Sequence, residues 1–247
     1  MGKEKTKRHE VDLYEPIEHY FTKQGYNVHG EVNHCDLAAL KGDELLIVEL
    51  KLTLNVELLI QATKRQRLTE FVYIAIPTPA YSLRSKKWKD ICHLMRRLEL
   101  GLITVSFRED DTEMKIIHEP GPFDKNKSRR QSTKKRNGIF TEIEGRQGNY
   151  NVGGSTQTKI MTAYKENCIH IACCLEHFGP LTPKSLRQMG TGEKTLAILT
   201  KNYNGWFEKI RRGVYGITEK GVNEFKENPQ IADFYIQSMM DSSSYID

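Results

Sequence analysis

The apolar run Leu45-Leu46-Ile47-Val48 passes directly into Glu49-Leu50-Lys51. Lys41-Gly42-Asp43 supplies a turn before it, so residues 44–51 are expected to form a strand with buried neighbours. Residues two apart in a strand point to the same face. Glu49 and Lys51 are therefore expected to project together from the end of that strand. A carboxylate and an ammonium there are costly to desolvate unless paired or bound to something. Asp36, within His34-Cys35-Asp36-Leu37-Ala38-Ala39-Leu40, lies on the preceding apparent strand and would bring a second carboxylate beside them.

The pattern around this strand predicts the rest of a sheet. Residues 11–24 carry Leu13, Ile17, Tyr20 and Phe21 at helical spacing and end at Gly25. Residues 26–32 and 35–40 alternate as strands. A helix over 56–68 follows the motif strand, with Leu58, Leu59, Ala62 and Arg65 recurring on one face. The β-branched and aromatic run 70–77, stopped by Pro77, predicts a buried strand; 87–99 predicts a helix and 101–107 another strand. This order predicts an α/β fold, a mixed sheet flanked by helices.

Composition then changes. Lys125, Lys127, Arg129, Arg130, Lys134, Lys135 and Arg136 crowd a stretch almost without large apolar residues, and Gly145 to Gly154 is rich in glycine. Such a stretch packs no core, so residues 121–155 are expected to be a basic, glycine-rich linker between a domain over 9–120 and another over 156–247. The glycines have no phosphate-cradling spacing. In the last part, a long helix over 158–178 is broken by Gly179-Pro180, Thr182 caps a short helix, and a third helix covers 193–203. Two short strands around Arg211-Arg212-Gly213 then form a hairpin. Three helices and a hairpin predict a C-terminal winged-helix domain. Lys194, Lys201, Lys209, Arg211 and Arg212 fall on its candidate recognition helix and wing, where phosphate contacts are made. Trp206 and Phe207 are expected in its core.

The chain has 247 residues, a formal net charge of +5 and five cysteines with no Cys-x-x-Cys pair. The charge favours an anionic partner. The odd cysteine count indicates reduced thiols and a cytoplasmic setting. No apolar run approaches the roughly 18 residues of a membrane span, and the basic start lacks the apolar segment of a secretory signal. Gly2 with Thr6 is better read as part of a basic tail than as a myristoylation signal. Cys168, His170, Cys173, Cys174 and His177 are the right residue types for zinc, but Cys173 and Cys174 lie in the apolar stretch of a helix, where free cysteine is a common core residue.

The spacing Asp36 … Glu49-Leu50-Lys51 resembles that of the PD-(D/E)XK nuclease superfamily, with its restriction-endonuclease-like sheet. The segments Leu13-Tyr14-Glu15-Pro16-Ile17, Gly25-Tyr26, Gly30-Glu31-Val32, Asn151-Val152-Gly153-Gly154-Ser155-Thr156 and Gly205-Trp206-Phe207 are similar to a bacterial family of PD-(D/E)XK phosphodiesterases. The resemblance implies a metal-dependent phosphodiesterase, a DNA endonuclease foremost, with Asp36 and Glu49 holding Mg2+ or Mn2+ and Lys51 stabilising developing charge. It also implies a Gln or a basic residue on the helix after the motif strand, where Gln61 stands, and an acid from the first helix or strand, either Glu18 or Glu31. Two other readings stay open: a nuclease-fold protein without catalysis that binds nucleic acid or regulates, and a hydrolase of a small phosphodiester. A homodimer is compatible with all of them.

Overall fold

The computed structural model describes residues 8–107, 112–155 and 159–243. It divides into two compact units between Ser128 and Arg129. In the first, a 3-10 turn, Glu10–Leu13, leads into α1 (Tyr14–Lys23). Strands β1 (Asn27–Val32), β2 (Cys35–Lys41) and β3 (Glu44–Leu50) follow, then α2 (Val56–Arg65), β4 (Phe71–Pro77), α3 (Lys86–Arg97), β5 (Gly101–Phe107) and β6 (Thr112–His118). The strands make one sheet in sequence order. β1, β2 and β3 are an antiparallel meander, β3, β4 and β5 are parallel, and β6 is antiparallel to β5. Turn chemistry sets the meander: Val32 pairs with Cys35, and the two residues between them, Asn33 and His34, take positive φ values of 49° and 64°, as a two-residue hairpin turn requires.

Strand alternation divides the core into two layers. Leu46, Val48 and Leu50 pack with Leu37, Ala39, Tyr73, Ala75, Ile103 and Val105 beneath Leu13, Ile17 and Phe21 of the N-terminal helical segment. Val72, Ile74, Ile76 and Leu102 face the other way, against Leu58 and Ala62 of α2 and Trp88, Cys92 and Met95 of α3. Both parallel connections thus cover the same face, as a common crossover hand demands. Side-chain caps start both helices: Asn55 accepts from the Leu58 N–H at 2.9 Å and Ser85 from the Trp88 N–H at 3.2 Å. Where β5 begins, Gly101 lies under the Tyr73 ring, and a Cβ there would fall 2.3 Å from a ring carbon.

The stretch expected as a linker is helical over much of its length. α4 (Lys125–Gln131) crosses the division between the units, and α5 (Thr133–Glu144) follows it. Its residues are nearly all exposed, the apolar Ile139, Phe140 and Ile143 of α5 included, so the stretch forms helices without a core of its own. Local pairs support it: Arg146 bonds Glu142 one turn earlier, and the Arg136 guanidinium lies 4.7 Å from the Phe140 ring centre. The strand β6 also lacked a sequence forecast. Its Thr-Glu-Met-Lys-Ile-Ile-His pattern is mostly polar because it forms an edge of the sheet.

The second unit continues with α6 (Ala163–Phe178), α7 (Pro183–Gln188), α8 (Thr195–Lys201), β7 (Phe207–Arg211), β8 (Val214–Ile217), α9 (Glu219–Lys226) and α10 (Pro229–Ser243). α6 is its central element: Cys168, Ile169, Ile171, Ala172, Cys173, Cys174 and Leu175 are all buried and pack with Leu186, Ile198, Leu199, Trp206, Phe207 and Tyr235. Thr162 caps α6 at its start, five residues inside the span the sequence suggested; residues 156–158, where that span and domain were expected to begin, lie outside the described residues, as do Gly2 and Thr6. Gly179 ends the helix at φ 77°. β7 and β8 form a hairpin, and Leu181, before α7, bridges Tyr215 of β8. Trp206 and Phe207 are core residues.

Candidate active site

Glu49 is the last but one residue of β3 and only 2 % exposed. Alternation with Val48 and Leu50, which face α1, turns it toward α2. The pairing of Leu37 with Val48 places Asp36 directly across from it on β2. The Asp36 carboxylate accepts the Leu50 N–H at 2.7 Å, so it is fixed against the backbone beside Glu49. Lys51 lies one residue past the end of β3. Its backbone N–H donates to Ala75 at 3.1 Å, and its ammonium pairs with Glu10 at 3.1 Å. The strict alternation that would aim Lys51 beside Glu49 stops with the strand, and the long side chain reaches toward the turn before α1. Asp36 is nevertheless close enough to both for its charge to act on each.

Two residues complete these contacts that motif spacing did not single out. Arg65, at the end of α2, donates from Nε to Glu49 Oε1 at 2.6 Å, and its other arm donates to the His34 carbonyl. It stands one helical turn beyond Gln61. The signal was present, since a basic residue facing the site from this helix is as apt as a Gln, but the apolar periodicity of α2 assigned Arg65 to the packed face. Glu10 was hidden because it precedes the amphipathic pattern of α1.

Gln61 is half-buried on α2 and makes no hydrogen bond with Asp36, Glu49 or Lys51 among the described residues. Glu18 is on α1 and lines an open cavity with Asp12, Glu15, His19 and Thr112, away from these contacts. Glu31 stands across from Asp36 in the register, between the Gly30–Leu37 and Val32–Cys35 pairs, but its φ of 54° takes it out of extended geometry and it is exposed. Among the described residues no three His, Cys, Asp or Glu side chains are grouped so that they could hold a metal.

Electrostatics follow from this packing. Burial pushes the Glu49 carboxyl above the usual range, the neighbouring Asp36 adds to the rise, and Arg65 opposes it. The hydrogen bond to Glu10 raises the Lys51 ammonium, with smaller contributions from Asp36 and Glu57. Two of the three candidate catalytic charges therefore already have a counter-charge: Glu49 has Arg65 and Lys51 has Glu10.

Residues 103–224 match the model of a family described as "Putative PD-(D/E)XK phosphodiesterase (DUF2161)". That segment, just under half of the chain, is similar to PD-(D/E)XK phosphodiesterases. The matched segment runs from within β5 to within α9 and does not include Asp36, Glu49 or Lys51. The PD-(D/E)XK spacing and the family match therefore rest on separate stretches of the chain and lead to the same superfamily. The mixed six-stranded sheet flanked by helices is consistent with a PD-(D/E)XK fold. No curated protein and no solved structure matches the chain.

In the second unit Lys194, Lys201, Lys209, Arg211 and Arg212 are all exposed, and among the described residues none is in an ion pair. Lys194 precedes α8 and Lys201 ends it; Lys209 and Arg211 are on β7, with Arg212 at the hairpin tip. Cys168, Cys173 and Cys174 are buried thiols whose pKa burial pushes up, to about 12, about 12 and about 11. Among the described residues no helix is long and apolar enough to cross a membrane.

Proposed function

We propose that this chain is a metal-dependent phosphodiesterase that cuts DNA, with its C-terminal unit holding the nucleic acid. The observation that carries the reading is the placement of Asp36 directly across from Glu49 at the end of the sheet, with Lys51 next in the chain. Two facing carboxylates, one of them buried, are a donor set suited to a hard cation. Mg2+ is commonly bound through one or two carboxylates together with substrate phosphate and water, so a site without a third protein carboxylate fits it. Bound by Asp36 and Glu49, the ion would supply Lewis acidity toward the scissile phosphate. Lys51 stabilises the negative charge that develops there. Glu10 holds the Lys51 ammonium at the sheet end and takes the place proposed from sequence for Glu18 or Glu31 as the acid from the first element. Arg65 reaches the same end from α2.

The C-terminal unit supports the second half of the reading. The order of three helices, hairpin and bridging Leu181 supports a winged-helix reading, in which α8 would be the recognition helix and β7–β8 the wing. The exposed cations Lys194, Lys201, Lys209, Arg211 and Arg212 on or beside those two elements favour phosphate contacts.

One observation favours a chain that binds without cutting: Glu49 and Lys51 each have an internal ion-pair partner. Incubation of the full chain with plasmid, single-stranded and branched DNA separates the readings. Cleavage that needs Mg2+ or Mn2+ and is lost in Glu49→Ala supports the nuclease; DNA binding without cleavage under any of these conditions supports the alternative.

A further inference from the structure

We propose that Arg65 is a built-in competitor for the divalent cation at Glu49, so that cation binding must first displace the guanidinium. The inference rests on the metal-dependent reading above and adds a regulation to it. Arg65 Nε lies 2.6 Å from Glu49 Oε1. This carboxylate is almost wholly buried and has Asp36 as its neighbour across the strands. Two neighbouring carboxylates, one of them buried, repel each other unless a cation stands near. In the chain itself that cation is Arg65.

The geometry makes Arg65 more than a local counter-ion. Its second arm holds the His34 carbonyl, so one guanidinium joins the Asn33-His34 turn to the end of β3. Both turn residues have positive φ, and Asp36 follows them by two positions. A planar, two-armed donor suits such a double contact, which the point charge of Lys does not. Displacing Arg65 therefore frees the Glu49 oxygen and releases the turn that leads to Asp36. The buried ligand Glu49 becomes available only when the guanidinium leaves, and until then Arg65 offsets its charge.

The test is Mn2+ binding to the full chain by titration calorimetry without DNA, on the wild type and Arg65→Gln. The variant should bind Mn2+ roughly fivefold or more tightly, the low end of coupling between mutually exclusive ligands. Its thermal midpoint should be lower than that of the wild type without metal and should rise more when Mn2+ is added. A wild type that binds Mn2+ and an Arg65→Gln that binds it equally or more weakly would overturn the competition and leave the metal-dependent reading standing. If neither protein binds Mn2+, both fail. The wild type alone gives a second measurement that does not depend on the variant folding. In 15N spectra, the Arg65 Nε–H should be a protected signal that Mg2+ shifts or exposes to exchange; a signal unmoved at a Mg2+ concentration that saturates the protein would also overturn the proposal.

Discussion

The Asp36 side chain reaches across to the backbone of the next strand, accepting the Leu50 N–H at 2.7 Å. The residue therefore has a structural contact as well as a proposed ligand role, and two substitutions separate them. Asp36→Ala should abolish Mg2+-dependent cleavage and also destabilise the fold by about 1–3 kcal/mol, the range for a lost hydrogen bond to a charged group. Asp36→Asn keeps an oxygen for the Leu50 N–H and should recover much of that stability without recovering cleavage. Urea denaturation beside a plasmid-nicking assay measures both; Asp36→Asn cutting at the wild-type rate would remove Asp36 from the metal site.

Lys51 and Glu10 form a partly exposed pair, with side-chain exposures of 30 % and 45 %. Such pairs contribute little to stability, about 0–1 kcal/mol. Lys51→Ala should leave Mn2+ affinity unchanged and lower the turnover rate by about a hundredfold, the size of effect seen when one group that stabilises transition-state charge is removed. Glu10→Gln should leave stability nearly unchanged and slow turnover less than Lys51→Ala does. Calorimetry and single-turnover rates check the two together.

The hairpin tip offers a test of the C-terminal unit. Arg211 and Arg212 are exposed and, among the described residues, in no ion pair. An Arg211→Ala/Arg212→Ala double variant should bind DNA more weakly, and its log affinity should fall less steeply with log salt, by about one to two in slope for two lost phosphate contacts. Unchanged affinity and slope would point to a protein-contact role for this surface.

His170 makes the stability of the second unit depend on pH. It stacks on Tyr235 with ring centres 3.9 Å apart, and burial lowers its pKa to about 4. The neutral ring is favoured in the folded state, so the unfolded chain binds the proton first as pH falls. Stability from this group is fully present above the unfolded value near 6.5 and is lost as pH drops from there toward 4. Glu166, whose carboxyl burial pushes up, titrates in the opposite sense, so the comparison must be with a variant. His170→Phe should lose less stability than the wild type between pH 6.5 and 4, by about 3 kcal/mol at most. Parallel pH series of urea melts give the difference directly.

Sequence pattern located most of the sheet because β2 to β5 follow strict rules: apolar alternation or continuous apolar runs, each bounded by Gly, Asp or Pro. Asp36 and Glu49 were legible for the same reason, as charges where the pattern requires apolar residues. Arg65 was harder to find because it obeys the pattern of α2, recurring with Leu58 and Ala62, while its guanidinium does polar work at the helix end. Glu10 lies before any periodicity begins. β6 was missed because an edge strand is allowed polar residues on both faces, and α4 because a wholly polar helix leaves no hydrophobic signature; α5 has Ile139, Phe140 and Ile143 at helical spacing, but the basic run before them read as linker.

The meander of β1, β2 and β3 has a kinetic consequence. Its pairings join residues close in sequence, such as Val32 with Cys35 and Lys41 with Glu44, so loop closure is cheap and these strands are expected to associate early. Arg65 arrives only with the longer crossover through α2 to β4. Glu49 thus enters its strand while still hydrated and loses water when α2 docks with its cation already in place. The order of assembly spares the chain an intermediate in which that carboxylate is buried alone.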